Sequence, residues 1–370
     1  MHVASAPGGS WRAPLATMPV RGARPIHLIN PLWDANGGSD WRAIEMYKAL
    51  RKHHAVRLWS RFEPARAFRR AYPIELIRPW LGRWPVGGTF IFVGAYFRVG
   101  HWFKAALPQR TILVYNTCQP DRFVKTLARL RAWHRTPVEV VYTSSLLRRY
   151  SDVPGPVIES PIDLEEFVPR AICARSSRPF TVGRMSRDVA SKHHREDPAV
   201  YAALAAMGVA VRVMGGRCLG ESSPRVPRDA LLPAGAHEPA VFLRDLDCFF
   251  YRTSEQWLEA YGRVVFEAMA CGLPVVCGRR GGYADYIVHG VNGFLFDTSA
   301  QAIDIMIRLR DDVALRARIG RAARHTVEGL YRGRAWREKL AYFLPPEREL
   351  AAVSALPART LDPSPSELPF

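Results

Sequence analysis

Two acidic residues, Glu259 and Glu267, stand eight positions apart in the segment Ser254–Gly282, SEQWLEAYGRVVFEAMACGLPVVCGRRGG. On one helix that spacing would rotate them about 80° apart. With Glu259 in a loop and Glu267 inside the helix that follows, both can approach one elongated ligand from different points. Glu267 lies between Phe266 and Ala268-Met269, on a helix that otherwise reads as buried. A carboxylate there needs a partner, and ribose hydroxyls would serve. Gly262, flanked by Tyr261 and Arg263, gives close backbone access at the helix start, where free N–H groups favour a phosphate or a hydroxyl-rich sugar. A solvated Glu267 on an ordinary amphipathic helix is the plainer alternative, but it leaves the apolar neighbours unexplained.

Cations form the second pattern. Val182-Gly-Arg-Met-Ser-Arg-Asp188 is followed by Lys192. A strand ending at Gly183 is expected to point Arg184 into a cleft, with Lys192 in the next loop. Two cations on one side of a cleft neutralise a diphosphate, which gains charge as it departs. Arg187, His193, His194 and Arg195 enlarge the basic patch, and a plain basic surface loop is the competing reading. The third pattern is Asn36-Gly-Gly-Ser-Asp40. Gly37 and Gly38 can offer bare N–H groups to a phosphate, with Ser39 or Asp40 capping the next helix. The pattern is not the G-x-G-x-x-G of dinucleotide sites.

The elements that must hold these residues alternate. Strands are expected at 25–29, 89–93, 111–115 and 138–143, with helices at 40–53 and 122–134. The pattern breaks near Pro161, and a second series follows. Its strands are expected near 180–182, 209–214, 247–251, 273–277 and 293–296, with helices at 198–207, 240–246 and 263–271 and a helical turn at 284–288. The reading is α/β: two Rossmann-like domains whose parallel sheets face a central cleft, where open sheets bind ligands. The expected divisions are a flexible segment 1–24, a first domain 25–170, a linker 171–179, a second domain 180–335, and a helix end with a Pro-rich tail at 336–370.

The 370 residues carry 52 basic and 34 acidic side chains, net +18, and 48% are hydrophobic, so the chain can bury large cores. No uninterrupted apolar stretch reaches the roughly 18 residues that span a bilayer. Gly9, Ser10, Arg12 and Pro14 interrupt the place where an export signal needs an apolar run, so a cytoplasmic protein is expected. The six cysteines match no common zinc spacing and are expected to be reduced. The charge is uneven: residues 1–170 hold 25 basic and 12 acidic residues, and 171–370 hold 27 and 22. The first half is therefore expected to meet something anionic, although an arginine bias can arise from genome composition alone.

Together these residues resemble a retaining glycosyltransferase of family 4, with the GT-B fold. The Glu-x₇-Glu element with EAYG and EAMACGLPVV is the most specific likeness. GRMSRD with Lys192 is similar to the family's donor-phosphate element, and Asn36-Gly-Gly to its N-terminal glycine loop. Ser160-Pro-Ile-Asp163 with Phe167-x-Pro169, Gly281-Gly282 and Val291-Asn-Gly293 also resemble family segments. The likeness runs in order over roughly residues 26–335.

The resemblance implies transfer of a sugar from a UDP- or GDP-sugar to a glycan or lipid-linked acceptor, with retention. In it Glu259 contacts sugar hydroxyls, and the backbone around Tyr261, Gly262 and Arg263 holds sugar or phosphate. Glu267 binds ribose, Arg184 and Lys192 hold the diphosphate, and Gly38 approaches from the first domain. The nucleotide sugar is a co-substrate; no other cofactor and no metal is implied, because cations replace the metal. Relatives carry a histidine in the first domain. Here Asn116-Thr-Cys-Gln-Pro120 lacks one, and His101 is the substitute considered. Asp285 stands where relatives often place Glu. Basic, aromatic 61–84 (RFEPARAFRRAYPIELIRPWLGRW) suggests docking on the inner face of a membrane. A non-catalytic basic protein that binds nucleotide sugars or nucleic acid is the alternative, but the basic residues are spread rather than striped and no nucleic-acid motif appears.

Overall fold

The computed structural model describes residues 24–170, 178–220 and 226–345. The expected tail beyond 345, most of the linker 171–179 and all but Arg24 of the segment 1–24 lie outside the described residues. Six parallel strands build the first sheet: β1 (Ile26–Ile29), β2 (Val56–Ser60), β3 (Ile74–Leu76), β4 (Thr89–Val93), β5 (Arg110–Tyr115) and β6 (Val138–Tyr142), in the order 3-2-1-4-5-6. Six more build the second: β7 (Thr181–Met185), β8 (Ala210–Met214), β9 (Leu231–Leu232), β10 (Cys248–Tyr251), β11 (Val275–Gly278) and β12 (Phe294–Phe296), in the order 12-11-10-7-8-9. Counted from its own first strand, the second sheet repeats the order of the first. It is the doubly wound order, expected for each half.

The central strands are short apolar runs because helices cover both faces. Ile26, Leu28 and Ile91 of the first sheet are inaccessible to solvent, as are Val182 and Phe250 of the second. The helices are α1 (Gly38–Leu50), α2 (Arg66–Ala71), α3 (Pro120–Trp133), α4 (Ser145–Arg149), α5 (Asp197–Ala206), α6 (Pro239–Arg244), α7 (Arg263–Ala270), α8 (Ser299–Asp311), α9 (Val313–Tyr331) and α10 (Gly333–Ala341). Loops after β1, β4, β5 and β6 meet loops after β7 and β10 across one cleft.

Two chain segments cross between the lobes. Ile162, Leu164 and Phe167 pack in the second-lobe core with Phe266 and Met269, so the first lobe's packing ends before residue 162 rather than at 170. At the other end, Leu340 and Phe343 return to the first-lobe core with Ile26 and Ile44. Lys339 pairs there with Glu159 at 2.6 Å, and Tyr342 donates to Glu139 at 2.6 Å. The stretch expected to be only a helix end is thus a strap onto the first lobe.

Candidate functional site

The helix start at Gly262 is built by conformation. Gly262 adopts φ 83°, and a side chain there would strike the Tyr283 ring at 2.4 Å. Only glycine turns the chain this tightly into α7. Glu259, three residues earlier, lies in the loop and lines the cleft, as expected. Its Oε2 accepts from Lys192 Nζ at 2.5 Å and from the Tyr251 hydroxyl at 2.8 Å. Burial opposes the ionised Glu259, but the Lys192 ammonium and the Tyr251 hydroxyl outweigh it and hold the carboxyl below its usual range. Burial also lowers Lys192, with Glu259 opposing. Lys192 sits 4.7 Å over the Trp257 ring, and Arg187 reaches the same ring at 5.7 Å.

Glu267 lines a recess that adjoins the cleft and shares Asn36, Gly38, Arg263 and Val264 with it. Burial raises its carboxyl, against the pull of Arg263, whose Nε lies 2.7 Å away one helical turn back. Arg263 also donates to the Pro161 carbonyl and so ties α7 to the inter-lobe crossing. The Tyr261 side chain is committed to the core, stacked on Phe266 at 4.3 Å and bonded to the Tyr331 hydroxyl, so its backbone is what remains for the cleft. Glu259, Lys192, Tyr261, Gly262, Arg263, Gly37 and Gly38 therefore border the cleft, and Glu267 the recess beside it.

Three expected residues do not. Arg184 is wholly buried; it donates to Asp197 at 3.1 Å, to the Arg252 carbonyl at 2.9 Å and to the Lys192 carbonyl at 2.5 Å. Its strand position directs it toward Asp197 at the start of α5, and from there it anchors the loop that carries Lys192. Arg187, three residues on, is the arginine of this segment that lines the cleft. Gly183 is not at the cleft either. A side chain there would meet Leu246 at 2.5 Å and the Arg212 carbonyl at 2.7 Å, so this glycine serves strand–helix packing. His101 is exposed, 5.6 Å from the Trp133 ring, and does not line the cleft. The loop after β4 sends Tyr96 there instead.

The glycine turn is only partly open. The Gly37 N–H already donates to the Asp34 carbonyl at 2.9 Å, whereas Gly38 faces open space. Asp40 folds over Gly37 and lines the cleft, and its Oδ1 has no partner. Burial, then the nearby Asp34, pushes its carboxyl up to about 7. The first-lobe wall also carries Asn116, Thr117 and Gln119 after β5, each with an unpartnered side-chain oxygen. Sequence reasoning took Asp40 only as a cap and passed over Tyr96; an aromatic two residues after Gly94, at a strand's carboxyl end, was the available signal. Among the described residues Glu45, Asp163 and Glu166 form the one acidic trio close enough to share an ion, and Lys48 already sits 2.6 Å from Asp163 and 3.2 Å from Glu45.

Paired lobes with this strand order and an inter-lobe cleft define the GT-B class. The fold is shared with HepE (Alr3699) from Anabaena, solved in complex with UDP-glucose, at 17% identity and TM-score 0.62, covering 90% of this chain and 100% of that one. Sucrose-phosphate synthase from Thermosynechococcus elongatus is similar at 18% identity and TM-score 0.67, over 89% and 100%. Residues 232–326 match the family model of the glycosyl transferases group 1. D-inositol 3-phosphate glycosyltransferase of Pseudarthrobacter chlorophenolicus is 40% identical over 95 residues, 25% of this chain and 22% of the relative's own length. The stretch 232–326 matched by the family model contains Glu259, Gly262 and Glu267 and excludes the first lobe.

Proposed function

We propose that the chain is a retaining family-4 glycosyltransferase. It moves a hexose from a UDP- or GDP-sugar to a glycan or lipid-linked acceptor, in the synthesis of cell-surface polysaccharide or glycolipid. The observation that carries this reading is the Lys192–Glu259 pair at the mouth of a cleft whose adjoining recess holds Glu267. Lys192 and Arg187 face the space where a diphosphate can lie, and they supply the charge a metal would otherwise bring. Glu259 accepts hydrogen bonds from sugar hydroxyls, and Glu267 from ribose. Retention is achieved by attack from the departing side, where the leaving phosphate takes the acceptor's proton.

A thermal-shift panel of UDP-, GDP- and ADP-sugars tests this. Ligand that binds only the folded state raises its stability by about 2.7 kcal/mol at a hundred times its dissociation constant. One nucleotide class is expected to shift the wild type and to lose most of its effect in Lys192→Ala and Glu267→Ala. No shift with any of them sinks the reading.

The enzyme works in the cytoplasm, docked on an anionic membrane face. Among the described residues no helix is long and apolar enough to cross a membrane. Trp80 and Leu81, 75% and 63% exposed, project beside Arg78 and Arg83. Apolar side chains flanked by guanidinium groups suit an interface of acyl chains and phosphates. Co-sedimentation with phosphatidylglycerol vesicles is expected, and Trp80→Glu with Leu81→Glu is expected to abolish it. Equal recovery with neutral phosphatidylcholine vesicles rejects the docking.

A further inference from the structure

One cation at the cleft lacks a counter-charge. Arg42, on α1, is fully buried and lines the cleft together with Ser39, Ser160 and Arg263. Its Nη2 donates to the Ile158 carbonyl at 2.8 Å, while Nε and Nη1 have no partner. No carboxylate among the described residues forms an ion pair with it. The acid whose charge favours it, Glu159, is held by Lys339 at 2.6 Å and by the Tyr286 hydroxyl at 3.0 Å. Arg263 adds a like charge beside it. Arg263 is itself paired with Glu267 at 2.7 Å and has no carboxylate to share with Arg42. Burial above all lowers Arg42 to about 10, which leaves it charged at neutral pH.

An unpaired buried charge is costly, and folded proteins retain one where a ligand completes it. We propose that Arg42 is an anion-binding group of the first lobe, and that a phosphoryl group in the cleft supplies the oxygens its Nε and Nη1 lack. Only the source of that group rests on the transferase reading. It is either the diphosphate of the nucleotide sugar or an anionic substituent of the acceptor. In the first case Arg42 joins Lys192 and Arg187 from the opposite lobe, and the diphosphate draws the two lobes together.

Thermal melts of wild type, Arg42→Met and Arg42→Gln decide it, with three probes: inorganic pyrophosphate, UDP, and inorganic phosphate in the presence of saturating UDP. Without ligand, Arg42→Met is expected to melt at or above the wild-type temperature, because an apolar chain of similar reach replaces an unpaired charge. Its half-maximal pyrophosphate concentration is expected to rise at least tenfold. Loss of the pyrophosphate and UDP responses together assigns the anion to the donor. An intact UDP response with a lost phosphate response assigns it to the acceptor. Arg42→Met melting several degrees lower, with undiminished responses to every probe, overturns the proposal and makes Arg42 a tie to Ile158. Should that variant not fold, Arg42→Gln keeps a donor for Ile158 and removes the charge, and an undiminished response there overturns it equally. A wild type that responds to pyrophosphate through Arg42 but to no nucleotide sugar leaves the proposal standing and removes the transferase reading.

Discussion

Each lobe buries one arginine completely near the cleft, and the two are kept differently. Arg184 in the second lobe is enclosed by Asp197, two carbonyls and the face of Tyr251, 4.8 Å away. Arg42 in the first lobe has one carbonyl. The acids follow the same division. Glu259 in the second lobe is paired and held low, whereas Asp40 in the first has no cation beside it, leaves Oδ1 without a partner and is pushed up to about 7. The second-lobe wall therefore has its charges paired before any ligand arrives, and the first-lobe wall leaves a charge to be completed from outside. One lobe presents a preformed site, and the other gains most from being filled.

The largest effect that can break this contrast is on stability. Arg184→Met leaves Asp197 with Arg252 and the His194 N–H, so urea unfolding is expected to show a loss of about 3 kcal/mol. Arg42→Met is expected to lose nothing in the same assay. Equal losses would mean that both arginines are structural. A smaller effect sharpens the contrast through pH. The Asp40 carboxyl is raised in the folded chain from 3.8 to about 7. Such a group contributes stability below the unfolded value that is lost as pH rises through the folded one. Asp40→Asn is therefore expected to be more stable than wild type at pH 8, on the order of 4 kcal/mol, with the difference vanishing toward pH 4. A difference that stays constant with pH would show that Asp40 does not titrate in this window. Glu259 carries the opposite sign, since its stabilising pairing is lost as pH falls.

The twin-lobed fold was legible because central parallel strands are continuous apolar runs; Thr89–Val93 matches β4 to the residue. Strands β2, β3 and β9 were not. In β2, Arg57 interrupts the run, and β9 has only two residues. The glutamate pair was legible from Glu267's apolar neighbours. Which arginine of GRMSRD faces the cleft was not, because the answer depends on Asp197, thirteen residues away in sequence. Arg42 looks like an ordinary helical arginine until tertiary packing surrounds it and withholds a carboxylate. His101 was a candidate by position after a strand, but the loop turns it outward to Trp133.

The helix α10, which brings Leu340 and Phe343 back onto the opposite core, has a mechanical consequence. The halves are joined at two places, like a door on a pair of hinges. Swinging about the line through both is the easy motion, while twisting or sliding must break the Lys339–Glu159 contact or the Tyr342 clasp. Any change in the gap is thereby steered along a single angular path, and the chain's far end helps choose it.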